Sequence, residues 1–350
     1  MDDAAARGAV AAAWREYGDR RAVRRAEETS AHVSTNRVYR LHLDDGSTVM
    51  AKASNYGSYF LFAEDHDRLS EVSSLLAGTR WSGFLAGILP RDGRPFRWYD
   101  GTCWVVLYVD VPRGESLPRT LSLPDVECLG REVASFHLAC AEASRRLPAP
   151  SHSMRSDMVA LLSSVGDADR ALPGLGRDDG EVVRRSAHEL LVHLDRCDVD
   201  HWPKIPILVD WNLGNFSVVR GDGAGFRLLT RWDYDWFRID SRMLDFYFLS
   251  RVSSATGDRT AFTYSPHTLF EERFLAFLRS YHEVAPLTRD EVLFLPWAYR
   301  FFVLNYVVRD GRRFFRSDLA DRFRQEAVST YLPGAGALDA SPLVAALGLD

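Results

Sequence analysis

The stretch IPILVDWNLGNFSVV, residues 205–219, carries an aspartate and an asparagine inside an otherwise apolar, β-branched run. Asp210 and Asn215 are poor strand formers, and a charge or an amide in such surroundings is either satisfied structurally or used chemically. One interpretation makes them a capping or turn-forming Asx pair beside Gly214. The other uses their positions, where one predicted strand ends and the next begins, to place two oxygen-bearing side chains on one rim.

A third oxygen-bearing side chain, Asp233, lies 18 residues after Asn215, where the predicted hairpin partner of the second strand ends. Phosphoryl transfer uses such a set. One carboxylate orients the attacking hydroxyl and accepts its proton, while an amide and a second carboxylate hold Mg²⁺ against the triphosphate. The Asp-x4-Asn spacing alone is weak, but a lysine-bearing strand precedes it in the chain. We therefore favour phosphoryl-transfer chemistry over a purely structural Asx pair.

Lysine is rare in this chain. Of 43 basic residues only Lys52 and Lys204 are lysine, which leaves 41 arginines. A lysine that persists against this background indicates a need for a compact, mobile point charge in place of a planar guanidinium. We assign that role to Lys52, whereas Lys204, between two prolines, is expected to have none.

The first third of the chain predicts a helix, a hairpin, a second helix and a buried strand. The first helix ends at a glycine C-cap, and an Asp-Gly pair marks the hairpin turn. The corresponding segments are Asp3–Tyr17, Val38–Leu43 with Thr48–Lys52, a helical run that stops at Gly78, and Cys103–Val109. Pro112 and Gly114 then break the pattern.

The remaining sequence is mostly helical around a second small hairpin. A helix opens at Ser122, and further segments follow: helical patches Asp157–Leu162 and Glu181–Leu194, the hairpin turn Gly221–Gly225, and aromatic-rich helix over Leu244–Tyr331. This order predicts an α+β, bilobal fold. Its β-rich N-terminal lobe would span residues 1–110 and its larger helical C-terminal lobe residues 111–350, with a hinge near 109–114.

Several of these segments resemble the aminoglycoside phosphotransferase and choline kinase superfamily, small-molecule relatives of the protein kinases. VDWNLGN resembles the catalytic loop, RWDYDWFRIDSRMLDFYFL the metal-binding segment with its trailing aspartate, NRVYRLHL the nucleotide-loop hairpin and VMAK the strand lysine. LGREVASFH resembles the helix that leads to the catalytic core. The resemblance covers most of the chain and implies a protein-kinase-like fold with the nucleotide between two lobes.

The resemblance also implies roles for individual residues. Asp210 would be the catalytic base, Asn215 and Asp233 the metal ligands, and Lys52 the phosphate-binding lysine. The implied reaction is ATP- and Mg-dependent transfer of the γ-phosphate to a hydroxyl of a small molecule, such as a sugar, aminoglycoside, nucleoside or amino alcohol. No dense acidic cluster in the C-terminal lobe selects among these acceptors.

Further nucleotide-binding residues are predicted on the second helix, before the first hairpin and at the hinge. Glu71 is expected to pair with Lys52 in preference to Glu64, which lies two turns away on the same helix face. Ser34 and Asn36 occupy the position of the phosphate-covering loop, HVSTN, which lacks glycines. Backbone groups at Val109 and Val111 would pair with adenine.

Other polar residues are expected to be structural or accessory. Asp235 and Asp240 are expected to be either further metal ligands or substrate contacts. Asp245 is predicted to be a buried carboxylate that accepts hydrogen bonds from backbone donors. His137 and His193 are predicted to be ordinary helix residues and not acid–base groups.

The family's His-Gly before the catalytic aspartate is replaced by Leu208 and Val209. That departure keeps a second hypothesis open, a catalytically inactive nucleotide-binding pseudokinase or scaffold. A protein kinase proper is disfavoured because the sequence contains no Asp-Phe-Gly, no Ala-Pro-Glu and no activation segment.

Bulk properties narrow the remaining possibilities. A net charge of −5 gives no broad reason to bind nucleic acid or an anionic membrane surface, and no run reaches about 18 apolar residues. The four scattered cysteines indicate neither a zinc site nor a disulfide framework. We therefore expect a cytoplasmic protein with a small-molecule partner; the sequence leaves its oligomeric state open.

Overall fold

The structure is a computed structural model that describes residues 1–30, 33–166, 175–221, 225–258 and 263–350. These residues form two compact units. Unit 1 contains residues 1–112 and 310–320, and unit 2 contains residues 113–309 and 321–350. His32 of the predicted phosphate loop and residues 222–224 of the predicted second turn lie outside the described residues.

The described part of residues 1–112 in unit 1 forms an antiparallel sheet with two helices. Its elements are α1 (Asp3–Tyr17), β1 (Val23–Glu28), β2 (Arg37–Leu43), β3 (Thr48–Ser54), α2 (Tyr59–Leu76), β4 (Pro90–Arg91), β5 (Arg94–Pro95), β6 (Arg97–Tyr99) and β7 (Trp104–Val109). The five-stranded sheet has the order β1-β2-β3-β7-β6, which puts β3 at its centre. One face of this sheet packs against the apolar side of α1.

Local signals explain most of unit 1. The Asp2 side chain accepts a hydrogen bond from the N–H of Ala5, and Gly18 takes the left-handed conformation that ends α1. The predicted first helix, first hairpin and buried strand are thus confirmed as α1, β2–β3 and β7. β1 was not predicted, because its sequence VRRAEE is too charged to show alternation; it forms an edge strand on β2.

Residues 310–320 return to unit 1, in contrast to the predicted lobe of 111–350. The N–H of Thr35 donates to the carbonyl of Phe314 at 2.7 Å, and the Thr35 hydroxyl donates to the carbonyl of Arg313 at 2.8 Å. Ser34 also forms an isolated β-bridge with Phe315. These are contacts between distant parts of the sequence, which periodicity does not report.

Unit 2 is mainly helical. Its elements are α3 (Leu123–Ser144), α4 (Met154–Gly166), α5 (Arg177–Arg196), β8 (Ile205–Ile207), β9 (Phe216–Val219), β10 (Arg227–Arg231), β11 (Arg238–Asp240), α6 (Phe246–Ser253), α7 (Glu272–Val284) and α8 (Arg289–Phe302). The chain continues through α9 (Gly311–Phe314) in unit 1, then α10 (Ser317–Glu326), α11 (Leu332–Ala335) and α12 (Ser341–Ala346). β8 pairs with β11 and β9 pairs with β10, both antiparallel.

α8 runs on as a π-helical segment, Val303–Arg309. An 18-residue window within Arg289–Arg309 has a mean hydropathy of 1.2, and by length and composition this helix could cross a membrane. In the structure, 83% of its apolar window is buried inside the protein. The stretch is thus packed as a core helix.

The closest approach of α3 and α7 depends on Gly130. A Cβ atom at this position would lie 2.6 Å from the carbonyl oxygen of Phe277 and 3.2 Å from Cβ of Ser280. We expect Gly130→Ala to lower the free energy of unfolding by about 1–3 kcal/mol, because the two helices must separate. Chemical denaturation measures this change.

Gly8→Ala in α1 is the matched control, since a Cβ atom there meets nothing within 4 Å. Alanine is the better helix former by about 1 kcal/mol, so this control should stabilise the protein. Equal effects of the two substitutions would contradict the close-packing argument.

Candidate functional site

The loop between β8 and β9 carries Asp210 and Asn215. β8 ends at Ile207, a 3-10 turn spans Leu213–Asn215, and β9 begins directly after it. The N–H of Asn212 donates to the Asp210 carboxylate at 3.1 Å, which orients that side chain. Because β8 and β9 belong to different strand pairs, the chain must cross between them, and the two polar residues lie on this crossing.

Asp233 is brought to the same place by the β9–β10 hairpin. The N–H of Trp232 donates to the carbonyl of Asn215 at 2.9 Å, and the side-chain nitrogen of Asn215 lies 3.5 Å from the carbonyl oxygen of Asp210. Asp233 itself has a positive φ of 69°, which turns the chain sharply after β10. The structure therefore brings Asp210, Asn215 and Asp233 together.

The carboxyl group of Asp210 has an unusual environment. Burial, the negative charge of Asp233 and that of Asp258 raise its pKa to about 6, although the positive charge of Arg231 and the N–H of Asn212 act in the opposite direction. Like charges this close make ionisation more costly. A carboxylate with such a pKa is ionised at neutral pH and is a stronger base than an ordinary aspartate.

Asp258 was missed by the sequence analysis. Its carboxylate accepts a hydrogen bond from the N–H of Leu213 at 2.7 Å and so caps the 3-10 turn that carries Asn215. Its own N–H donates to the carbonyl of Arg119 at 2.8 Å. In the sequence Asp258 follows a threonine and a glycine, which indicates only a turn, so no local pattern marks it.

Asp245 stabilises the loop between β8 and β9. It is fully buried, and one carboxylate oxygen accepts hydrogen bonds from the N–H groups of Leu208 at 3.1 Å and Val209 at 2.6 Å. Its other oxygen lies 2.9 Å from Nε2 of His137, whose Nδ1 lies 2.8 Å from the hydroxyl of Tyr281. The prediction of a backbone-satisfied Asp245 is confirmed, and His137 lies within a helix, α3, as predicted.

Val209 has a left-handed backbone, with φ of 58°, although its side chain is β-branched and fully buried. This conformation costs an L-residue about 1–2 kcal/mol. The two hydrogen bonds that the N–H groups of Leu208 and Val209 donate to the Asp245 carboxylate hold the chain in this conformation. Val209 stands where the family that the sequence resembles has glycine, and its backbone is therefore strained.

We expect Val209→Gly to unfold at a higher denaturant concentration than Val209→Ala, with a difference of about 1 kcal/mol. Both variants lose the same kind of buried contact, but only glycine relieves the strain. Val218, buried in β9 without a positive φ, is the control: there glycine should be less stable than alanine. If alanine is the more stable substitution at both positions, Val209 is not strained.

The donor set of Asn215 and Asp233 fits a hard divalent cation. Mg²⁺ prefers oxygen ligands and is commonly held by one or two side chains plus phosphates and water. The side-chain nitrogen of Asn215 faces the carbonyl of Asp210, which leaves its amide oxygen as the ligand atom. Among the described residues no group of three His, Cys, Asp or Glu side chains could hold a metal ion by itself, so an ion here depends on nucleotide oxygens as well.

In unit 1, Lys52 lies on the central strand β3, with Val38 and Val106 opposite it on the neighbouring strands. The side chain is buried, and its charge helps to lower the pKa of His66 in α2 to about 3, although burial of the imidazole is the larger cause. His66 is therefore neutral.

The predicted pairing of Glu71 with Lys52 is not present. Glu71 is exposed, and its side chain forms no hydrogen bond or ion pair with the residues that the structure describes. The face of α2 that packs contains His66, Leu69, Val72 and Leu76, and Glu71 lies on another face. Glu64, the alternative, forms an ion pair with Arg68.

Most of the other residues predicted for the nucleotide site form hydrogen bonds within the protein. Asn36 is buried, and its side-chain oxygen accepts a hydrogen bond from the hydroxyl of Ser54; Ser34 accepts one from the N–H of Asn36 at 3.3 Å. The N–H of Val109 donates to the carbonyl of Gly87 at 2.8 Å, so an adenine contact there must use the carbonyl group. Val111 follows, half-buried, just after β7.

Two further expectations are settled by contacts in unit 2. Asp240 is fully buried and pairs with Arg238 at 2.8 Å and with the Lys204 ammonium at 3.3 Å, so both Asp240 and Lys204 have a structural role. Asp235 is half-buried, two residues after Asp233. His193 stacks on Trp297 within the helical packing.

No protein-family model matches the sequence, and no curated protein matches it significantly. Solved structures do match. One from Thermobifida fusca YX-ER1, assigned as a fructosamine-3-kinase, has a TM-score of 0.52 at 19% identity, and the match covers 94% of this chain and 98% of that one.

Two further structures have similar scores. An amicoumacin kinase in complex with AMP-PNP, Ca²⁺ and Ami has a TM-score of 0.54 at 14% identity, over 87% of this chain and 90% of its own. A microcompartment-associated aminopropanol kinase has a TM-score of 0.52 at 19% identity, over 93% and 94%. At these identities the likeness concerns the fold alone, and the α+β chain described here has the kinase-like fold of these structures.

Proposed function

We propose that this protein is an ATP- and Mg-dependent phosphotransferase that moves the γ-phosphate to a hydroxyl of a small molecule. The observation that carries the proposal is the convergence of Asp210 and Asn215, on the β8–β9 crossing, with Asp233, just after β10, through hydrogen bonds to main-chain carbonyl groups. The structural neighbours named above are described as small-molecule kinases, which supports the same class of reaction.

Each side chain has a defined task in this proposal. Asp210, oriented by the N–H of Asn212, aligns the acceptor hydroxyl and accepts its proton. Its pKa of about 6 keeps it ionised at pH 7 and above. Lys52 provides the compact positive charge for the phosphates.

Asn215 and Asp233 would hold the magnesium ion. The ion, when bound, neutralises charge on the phosphate oxygens. The turn that carries Asn215 is fixed before binding, because Asp258 caps it and the N–H of Trp232 bonds to the carbonyl of Asn215. Little reorganisation is then needed when the nucleotide arrives.

The acceptor is a small hydroxyl compound, a sugar, aminoglycoside, nucleoside or amino alcohol. The structural neighbours include kinases named for an amino alcohol, an antibiotic and a fructosamine, so the fold accommodates varied acceptors. Cytoplasmic action is part of the proposal, because the four cysteines are free and three of them are buried.

Thermal unfolding with Mg-ATP, with ATP alone and with Mg²⁺ alone tests nucleotide binding. A ligand at 100 times its Kd adds about 2.7 kcal/mol to the free energy of unfolding, so Mg-ATP should raise Tm clearly. Asp233→Asn should lose the increment that Mg²⁺ adds to ATP. Asp195→Asn, at an exposed site in α5, is the matched control and should behave as the wild type.

ATP consumption over a panel of hydroxyl-bearing metabolites tests the reaction itself. Acceptor-dependent ADP formation by the wild type supports the proposal. Binding of Mg-ATP without turnover across a broad panel would favour the pseudokinase hypothesis, and absence of any Mg-ATP binding would reject both.

A further inference from the structure

Arg231 is a buried arginine next to the catalytic loop to which the proposed reaction assigns no task. It is the last residue of β10, two positions before Asp233, and its relative exposure is 0%. A charge is kept at such a depth only where partners compensate for its lost hydration. The question is what these partners are.

The hydrogen bonds of Arg231 go to the main chain. Its Nη2 donates to the carbonyl oxygen of Asp210 at 2.7 Å and to the carbonyl oxygen of Asp233 at 3.2 Å. The guanidinium lies over the ring of Trp211, 5.5 Å from the centroid. One nitrogen atom thus joins the two loops that carry the proposed base and a proposed metal ligand.

The rest of the guanidinium is poorly satisfied. Nε and Nη1 are buried and have no hydrogen-bond partner among the described residues. Unpaired buried donors are costly, and an apolar side chain of similar volume is often at least as stabilising as a buried charge. The negative charges of Asp210, Asp233 and Asp245 offset part of the cost of burying the guanidinium. The bridge between two main-chain carbonyl groups is the feature that an apolar side chain could not provide.

We infer that Arg231 is a positioning residue, which fixes the main chain of the Asp210 loop against the main chain of the Asp233 loop. The inference rests on the proposed phosphotransfer function. It means that the spacing between base and metal ligand is set by the protein before any substrate binds. Misplacement by about 1 Å can cost about 10²-fold in rate. A bridge that prevents this misplacement therefore compensates for the unpaired donors of the guanidinium.

Arg231→Met removes both hydrogen bonds and keeps an apolar side chain over Trp211. We expect kcat to fall by about 10–100-fold, with KM for Mg-ATP unchanged because the nucleotide contacts remain. Hydrogen–deuterium exchange should become faster in peptides covering residues 208–215 and 229–235 and stay at the wild-type rate in α3 and α7. This exchange is measured without substrate.

Arg238→Met is the matched control, since Arg238 is also a buried arginine but pairs with carboxylates, Asp157 and Asp240, both at 2.8 Å. It should lower global stability and leave kcat at the wild-type value at temperatures where it is folded. Arg231→Lys keeps the charge without the planar fork and should recover part of the lost kcat.

The outcomes separate the two hypotheses. Absence of phosphotransfer by the wild type rejects the proposed function, but faster exchange in the two loops of Arg231→Met still supports the bridge. Wild-type exchange in both loops, or wild-type kcat, overturns the inference about Arg231. If the methionine variant does not fold, the lysine variant decides: faster exchange confined to these loops supports the inference, and wild-type exchange overturns it.

Discussion

Replacing Asp210 with asparagine is expected to lower kcat by about 10²–10⁴-fold, the usual contribution of a positioned general base. Asparagine keeps the size of the side chain and can still accept the hydrogen bond from the N–H of Asn212, but it cannot take up the proton of the acceptor hydroxyl. Binding of Mg-ATP should persist, because Asp233 and Asn215 are unchanged. Steady-state kinetics with an acceptor found in the panel measures the loss.

The same substitution should stabilise the metal-free protein at high pH. The pKa of Asp210 rises from 3.8 to about 6 on folding, so the ionised carboxylate opposes folding above pH 6. That cost disappears as the pH falls through 6 toward 4, where the folded protein takes up the proton first. The upper limit is about 3 kcal/mol.

Chemical unfolding of wild type and Asp210→Asn at pH 8 and pH 4 checks this effect, with Asp195→Asn as the exposed control. A gain in stability at pH 8 that is absent at pH 4 is the expected pattern. A variant that is less stable than the wild type at pH 8 would show that Asp210 is a structural carboxylate, as in the Asx interpretation.

Replacing Asp245 with alanine should cost about 3–5 kcal/mol, the range for removing one member of a buried charged network. The N–H groups of Leu208 and Val209 would lose their acceptor, and His137 would lose its partner. Because Val209 depends on these bonds to hold its left-handed backbone, activity should fall as well. Urea unfolding gives the free energy, and kinetics at low temperature gives the activity.

Asp245→Asn is the conservative comparison. Its amide oxygen can still accept from both N–H groups, and the His137 tautomer can adjust to its nitrogen. We expect it to cost less than half as much as the alanine variant. If alanine and asparagine unfold at the same denaturant concentration as the wild type, Asp245 does not hold the loop.

Elements with a strong local signal were predictable. α1 follows from an acidic N-cap, alanine-rich composition and a C-terminal glycine; the hairpin β2–β3 follows from alternation around Asp45-Gly46. Asp210, Asn215 and Asp233 could be recognised because each breaks an apolar run at a strand end. A polar side chain there is costly unless it is hydrogen-bonded or used in chemistry.

The supporting residues could not be predicted in the same way. Arg231 and Asp258 act through contacts with main-chain groups more than 20 positions away, and neither lies in a periodic pattern that marks such contacts. Glu71 was wrongly paired with Lys52, because helical spacing reports which residues share a face but not which face packs. That choice depends on the sheet beneath the helix.

The scarcity of lysine makes the chain well suited to amine-directed affinity labelling. An acylating reagent that carries an adenosine group meets two lysine side chains in the whole sequence, and the ammonium of Lys204 is already held by Asp240 and by the carbonyl of Val199. Acylation blocks tryptic cleavage at these two positions only, so the arginine-derived peptide map survives. Binding of ATP at the proposed nucleotide site should then be readable by mass spectrometry as reduced acylation of the single peptide that contains Lys52.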